Sequence, residues 1–260
     1  MDAFPKPPLS TPSIRAPVPS THNMSLGAVS PRRSSFETFP NSNADQKWSS
    51  ILQFPIVNSS LFDANGTKAL EVTISPTSIF QSQTGFRRSE LMPSSNSGTD
   101  LSTTGVKTIH FSVQKDTLKP LNSSHEYQLF FLESNDYSTN QVVLKYGSII
   151  GGNPNGVDKD SLMVVGNVNS KPIPLLYSTK FTPGVWHNFG ITLNFNAGKA
   201  VKNDVSGQGE YHFGILKKPT GGGSDITKSG FQEGGINEGV IFGGIFEEDS
   251  SATGCISLKP

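Results

Sequence analysis

Cysteine is nearly missing: Cys255 stands alone among 260 residues, so no disulfide can form within the chain and no cysteine-based zinc site can be built. Charge is scarce too. Only 16% of residues are charged, and 21 basic side chains balance 21 acidic ones. Nothing therefore drives the chain toward nucleic acid or an anionic membrane by counterion release. No apolar run is long enough to span a bilayer, and the first thirty residues hold no run of seven or more apolar residues that could serve as a signal-peptide core. No window of a dozen residues carries an apolar stripe at helical period. HExxH, a GxSxG elbow, a Walker loop and a GxGxxG after a strand are all missing, so zinc-protease, elbow-type serine hydrolase and phosphate-cradling chemistries find no support. The glycine triplet Gly221–Gly223 reads as a flexible loop.

What is present divides at about residue 46. Residues 1–45 contain eight of the 18 prolines among Ser and Thr, and read as a disordered leader outside the fold. From Trp48 onward, short runs rich in Val, Ile, Phe and Tyr alternate with Gly, Pro, Asn and Ser clusters, the punctuation of strands and turns. Strands are expected near 51–57, 68–75, 85–92, 105–114, 126–134, 140–147, 160–167, 173–178, 184–195, 209–217 and 238–248. One all-β domain over 46–260, a jelly-roll β-sandwich, accommodates them. Alternation places Ile109, Phe111 and Val113 on one face and Thr108, His110 and Ser112 on the other. It likewise puts His187, Phe189, Ile191 and Leu193 opposite Asn188, Thr192 and Asn194. One curved, polar-lined face follows, a natural seat for an extended neutral polymer. Acceptor triplets for N-glycosylation at Asn23, Asn58, Asn65 and Asn122 lean toward the secretory pathway.

Acidic residues inside strands are the candidates for general acid and base work. Glu90 ends Gly85-Phe86-Arg87-Arg88-Ser89-Glu90-Leu91, where two-residue spacing sets Arg88 beside it; a guanidinium there holds a carboxylate ionised. An ordinary surface ion pair has the same spacing. Glu133 follows Phe130, Phe131 and Leu132, an apolar setting of the kind that raises an acid's pKa. Its rival Glu126 begins the same strand, on the opposite face by parity, and reads as a solvated edge residue. His212 alternates with Glu210 and away from Tyr211 and Phe213, and either orients a carboxylate or is structural. His187, on an apolar face, reads as core. Trp48, Tyr137, Trp186 and Tyr211 are candidates for stacking on sugar rings.

These strings resemble glycoside hydrolase family 131. The resemblance lies in Gly85–Leu91, in His125-Glu126-Tyr127-Gln128-Leu129-Phe130-Phe131-Leu132-Glu133-Ser134-Asn135-Asp136-Tyr137, in Pro183–Phe189, in Gly207–Gly214 and in Asn237–Phe246, and it covers roughly residues 46–260. It implies a secreted fungal enzyme that cleaves β-glucans with 1,3, 1,4 and 1,6 linkages by an inverting mechanism, with no metal or cofactor. The family's proposed catalytic glutamates fall on Glu90 and Glu133, with His212 nearby as a third catalytic candidate. Arg88, Asn135, Asp136, Tyr137 and Tyr211 are then candidates to hold substrate, and the expected form is an extracellular monomer whose partner is a β-glucan. Two alternatives stay open: a non-catalytic glucan-binding module, and a polysaccharide lyase using Arg87, Arg88, Tyr211 and His212. Two departures from the family stand out. The Pro/Ser-rich leader replaces the usual signal peptide and first strand-forming segment. The stretch between Phe195 and Asn203 is also short, so that a lost strand there would leave a sheet edge open.

Overall fold

The computed structural model describes residues 48–93, 98–196, 203–251 and 257. The leader at 1–45 and Cys255 lie outside them. One helical turn, Trp48–Ile51, precedes eleven strands: β1 (Leu52–Gln53), β2 (Leu70–Ile74), β3 (Arg87–Leu91), β4 (Val106–Lys115), β5 (Glu126–Glu133), β6 (Asn140–Gly147), β7 (Ser161–Val165), β8 (Leu175–Lys180), β9 (Trp186–Asn194), β10 (Glu210–Lys217) and β11 (Glu238–Asp249). Each expected run overlaps one of them, and β4, β8 and β11 run one or two residues further than expected. The first shrinks to two residues, because the helical turn takes 48–51 and, among the described residues, no ladder partner holds 54–57.

The strands form two antiparallel sheets, one of five strands in the order β1-β2-β11-β4-β9 and one of six in the order β3-β10-β5-β6-β7-β8. This is a jelly-roll β-sandwich. Alternating apolar residues of both sheets meet between them: Ile109, Phe111 and Val113 from β4 face Leu129, Phe130 and Leu132 from β5 and Tyr211, Phe213 and Ile215 from β10. Phe111 lies at the centre, 4.7 Å from Phe130 and 5.3 Å from Phe189 between ring centroids. A second, smaller apolar cluster covers the outer face of the six-stranded sheet: Phe86, Phe131, Val143, Met163, Val165 and Leu216, with Val168, Ile173 and Ile226 from the loops.

Two irregularities decide which side chains share that outer face. Between Gln128 and Phe130 the β5–β6 register shifts, so Leu129 and Phe130 both enter the core. Parity along β5 is reset there, as a bulge does. The face also differs from the one expected. The polar sides of β4 and β9 belong to the five-stranded sheet, where Ser112 donates to Asn188 at 2.7 Å and Thr108 meets Thr192 at 3.0 Å. The cavity at Glu133 opens instead on the other sheet. Among the described residues β9 ends its sheet, and residues 197–202 of the short 195–203 connection lie outside them.

Candidate active site

Glu90, His212 and Glu133 come from β3, β10 and β5, three consecutive strands of the six-stranded sheet. Register brings them together: Gly214 stands opposite Glu90, and His212 opposite Phe131, two residues before Glu133. His212 therefore projects between the two carboxylates. Its Nδ1 lies 2.9 Å from Glu90 Oε2, and its Nε2 lies 3.4 Å from Glu133 Oε2. The ring lies flat on Phe131, 4.2 Å between centroids and 11° between planes, which fixes its tilt.

Arg88 grips Glu90 with both ends of its fork, Nε to Oε1 at 2.7 Å and an Nη to Oε2 at 2.5 Å. Its other Nη donates to Gln83, and Phe80 lies beneath the guanidinium at 5.3 Å. Such bidentate pairs are the strong ones. Glu90 has no exposed surface. Burial alone would raise its pKa, but Arg88 and His212 together outweigh burial and hold it at about 2. For His212 burial works downward, while the hydrogen-bonding carboxylates of Glu133 and Glu90 raise it above the ordinary imidazole value. The centre is thus a buried anion, an imidazole of increased basicity, and a second carboxylate with about a quarter of its side chain (26%) exposed.

That exposed end opens into a cavity of about 270 Å³ lined by Gln83, Arg88, Gln128, Glu133, Tyr137, Asn140 and Lys218 among others. Tyr137, 68% exposed and in the left-handed region at φ 59°, stands at the rim. Its ring is free to lie against an apolar ligand face. Asn135 and Asp136 are exposed but do not line the cavity. Asp136 Oδ1 accepts from the Ser134 hydroxyl at 2.7 Å and from Ser138 N and Oγ, so that carboxylate shapes the turn.

Three expectations need correcting. Tyr211 is fully buried between the sheets, its hydroxyl donating to Ser102 O at 3.0 Å, because alternation that turns His212 outward turns Tyr211 inward. Glu126 is neither solvated nor on the opposite face from Glu133: the β5 bulge brings it to the outer face. There it is buried and bonded to Lys145 at 2.7 Å, Lys218 at 2.9 Å and Ile150 N at 2.9 Å. Burial would raise that carboxyl, yet the two lysines hold it at about 2. The apolar neighbours of Glu133 are also fewer than its sequence suggests, since Phe130 and Leu132 face the core and only Phe131 shares its side. Among the aromatic candidates, Trp186 lies on the other sheet, its indole N–H donating to Asn58 O at 2.7 Å. His187 packs edge-on against Phe181 and accepts from Thr182 N. Trp48 opens the helical turn. Gln83, Gln128, Asn140 and Lys218 were missed; Gln128 lies five residues from Glu133, so regular alternation sets it on the opposite face and only the bulge brings it to the same side.

The family model described as the glycoside hydrolase 131 catalytic N-terminal domain matches residues 21–200 and 196–253. This chain belongs to glycoside hydrolase family 131. Among solved structures, it is similar to the catalytic domain of a family 131 beta-glucanase from Podospora anserina. There the identity is 20%, the TM-score 0.53, and 83% of this chain and 90% of that one are covered. It is also similar to the catalytic domain of a family 131 protein from Coprinopsis cinerea, with identity 20%, TM-score 0.51 and coverage of 85% and 94%. No curated relative matches its sequence. Membership supports a glycoside hydrolase acting on a polysaccharide, and the two sheets are the sandwich that family 131 structures share.

Proposed function

We propose that this chain hydrolyses β-glucans with 1,3, 1,6 and 1,4 linkages outside the cell by an inverting mechanism, using Glu133 as acid and Glu90 as base. The observation that carries the reading is the convergence of two carboxylates from separate strands on one imidazole at the end of a polar cavity. Inversion needs carboxyls roughly 6.5–9.5 Å apart, against about 5–5.5 Å for retention. An imidazole ring set between them, 2.9 Å from one carboxylate and 3.4 Å from the other, favours the wider spacing. Glu133 reaches the cavity and gives its proton to the leaving oxygen. Glu90, bonded to His212 Nδ1, serves as the base: the water's proton passes to this carboxylate–imidazole pair, the water's oxygen bonds to the anomeric carbon, and the glycosidic oxygen leaves with the proton from Glu133. Exposure of Asn58 and Asn65, both in acceptor triplets, fits a secreted protein. The similar structure from Podospora anserina bears the name beta-glucanase, which supports the substrate class.

The test is release of reducing sugar from laminarin and from cellulose oligomers. Glu133→Gln and Glu90→Gln should each lower the rate by roughly 10²–10⁴-fold, and the first-formed sugar should carry inverted configuration by NMR. Full rates in both variants would sink the acidic pair. Absorbance of unsaturated uronate from glucuronan would replace hydrolysis by elimination, and oligosaccharide binding without turnover would leave a binding module.

A further inference from the structure

Among the described residues four strands end the two sheets, and three of them are protected against pairing with another chain. β1 has two residues, β3 carries Arg87 and Arg88, and β8 ends on exposed Lys180 and pairs with β7 through a register shift. Short length, charge and bulges are how natural edges are blunted. β9 has none of these. It runs nine residues, Trp186-His187-Asn188-Phe189-Gly190-Ile191-Thr192-Leu193-Asn194, with no Lys, Arg, Asp, Glu or Pro. It pairs with β4 through nine consecutive positions without a shift. Among the described residues no strand pairs with its other edge. The flank beside it is apolar: Leu176 and Tyr177 on β8 are 41% and 54% exposed, and Tyr177 meets Phe189 edge-on at 6.4 Å across the opening of the sandwich.

We propose that β9 is a dimer interface, at which two copies of this chain pair antiparallel across a two-fold axis at Gly190. Antiparallel self-pairing is closed by such an axis and needs no second kind of surface. In this register Asn188 meets the partner copy's position 192, Phe189 meets position 191 and His187 meets position 193. Asn188 then faces a threonine on the outer side, and on the core side Phe189 faces an isoleucine while the His187 ring lies against a leucine. A formal net charge of zero adds no long-range repulsion between copies. The pair would join two five-stranded sheets and cover the exposed β8 side chains, while the cavity at Glu133 stays open on the other sheet's outer face. This departs from the monomer the sequence led us to expect.

Sedimentation of the full chain across a concentration series tests it, and the expected result is a mass that doubles and goes no further. Gly190→Lys sets two ammonium groups opposite each other at the axis, where like charges repel. Gly190 is exposed and its φ lies outside the left-handed region, so the variant should keep its circular dichroism and melt while sedimenting as a monomer. Leu118→Lys, at a remote exposed position, should leave the dimer intact. Should Gly190→Lys fail to fold, amide exchange in the unaltered protein decides: protection across β9 should fade on dilution. A monomer at every concentration, a dimer that survives Gly190→Lys, species growing beyond two copies, or protection indifferent to dilution would each overturn the proposal.

Discussion

At the scale of single residues, the centre is governed by how much a buried carboxylate costs when left alone. Glu90 is tolerated at zero exposure because Arg88 and His212 occupy its oxygens. Removing one partner of a buried pair costs about 3–5 kcal/mol, whereas removing both is far milder. Arg88→Met should therefore lower unfolding free energy at pH 7 by about that amount, and adding Glu90→Gln should recover most of it in urea titrations. Additive losses would show that the Arg88–Glu90 contact does not carry the effect. The sign with pH is fixed as well. The carboxyl sits at about 2 when folded, below the ordinary 4.5, so its contribution is complete above 4.5 and is lost as pH falls toward 2.

At the scale of elements, glycine sets how closely β3 and β10 approach. A Cβ on Gly214 would come within 2.1 Å of Ser89 O and 2.8 Å of Glu90 Cα, both backbone atoms of β3. Gly214→Ala must push β3 away where Glu90 is held. We expect overpacking of about 1–3 kcal/mol in the melt, together with a fall in kcat larger than that stability loss explains; an unchanged kcat would mean Glu90 tolerates the shift. Much of this geometry was legible beforehand. Eleven apolar runs became eleven strands, and two-residue spacing correctly joined Arg88 to Glu90 and turned His212 away from Phe213. Parity counted from one end of β5 failed for Glu126, because the extra residue at Leu129 is invisible to a pattern that assumes regular pleating. Gln83 and Lys218 sit outside strands, at 83 and 218, where alternation gives no direction. Tyr211 was offered for sugar stacking although its own strand's alternation pointed it inward, so there the misreading lay in weighting residue type above position.

At the scale of the whole molecule, buried carboxyls fall into two opposed groups, and their balance shapes stability against pH. Buried Glu90 and Glu126, and with them the partly exposed Glu233, lie at about 2, pulled down by basic partners that outweigh burial. Glu247 and Glu71 lie on the five-stranded sheet. Burial comes first for both, and it lifts Glu247 to about 8 and Glu71 to about 7 in spite of Lys107 and Lys119. The first group withdraws its stabilisation as pH falls below 4.5. The second does the reverse: a folded state that holds the proton more tightly than the unfolded chain loses stability as pH rises from 4.5 to the folded value. Stability should therefore peak between about pH 5 and 7, within the range usual for proteins. Glu247→Gln isolates the alkaline side, since an amide of the same shape keeps the packing beside Tyr211 and has nothing to ionise. From urea titrations at pH 5 and pH 9, the unaltered protein should lose on the order of 3 kcal/mol more than the variant over that interval. Equal losses would mean that Glu247 is already ionised in the folded state at pH 5, with Lys107 rather than burial setting its charge.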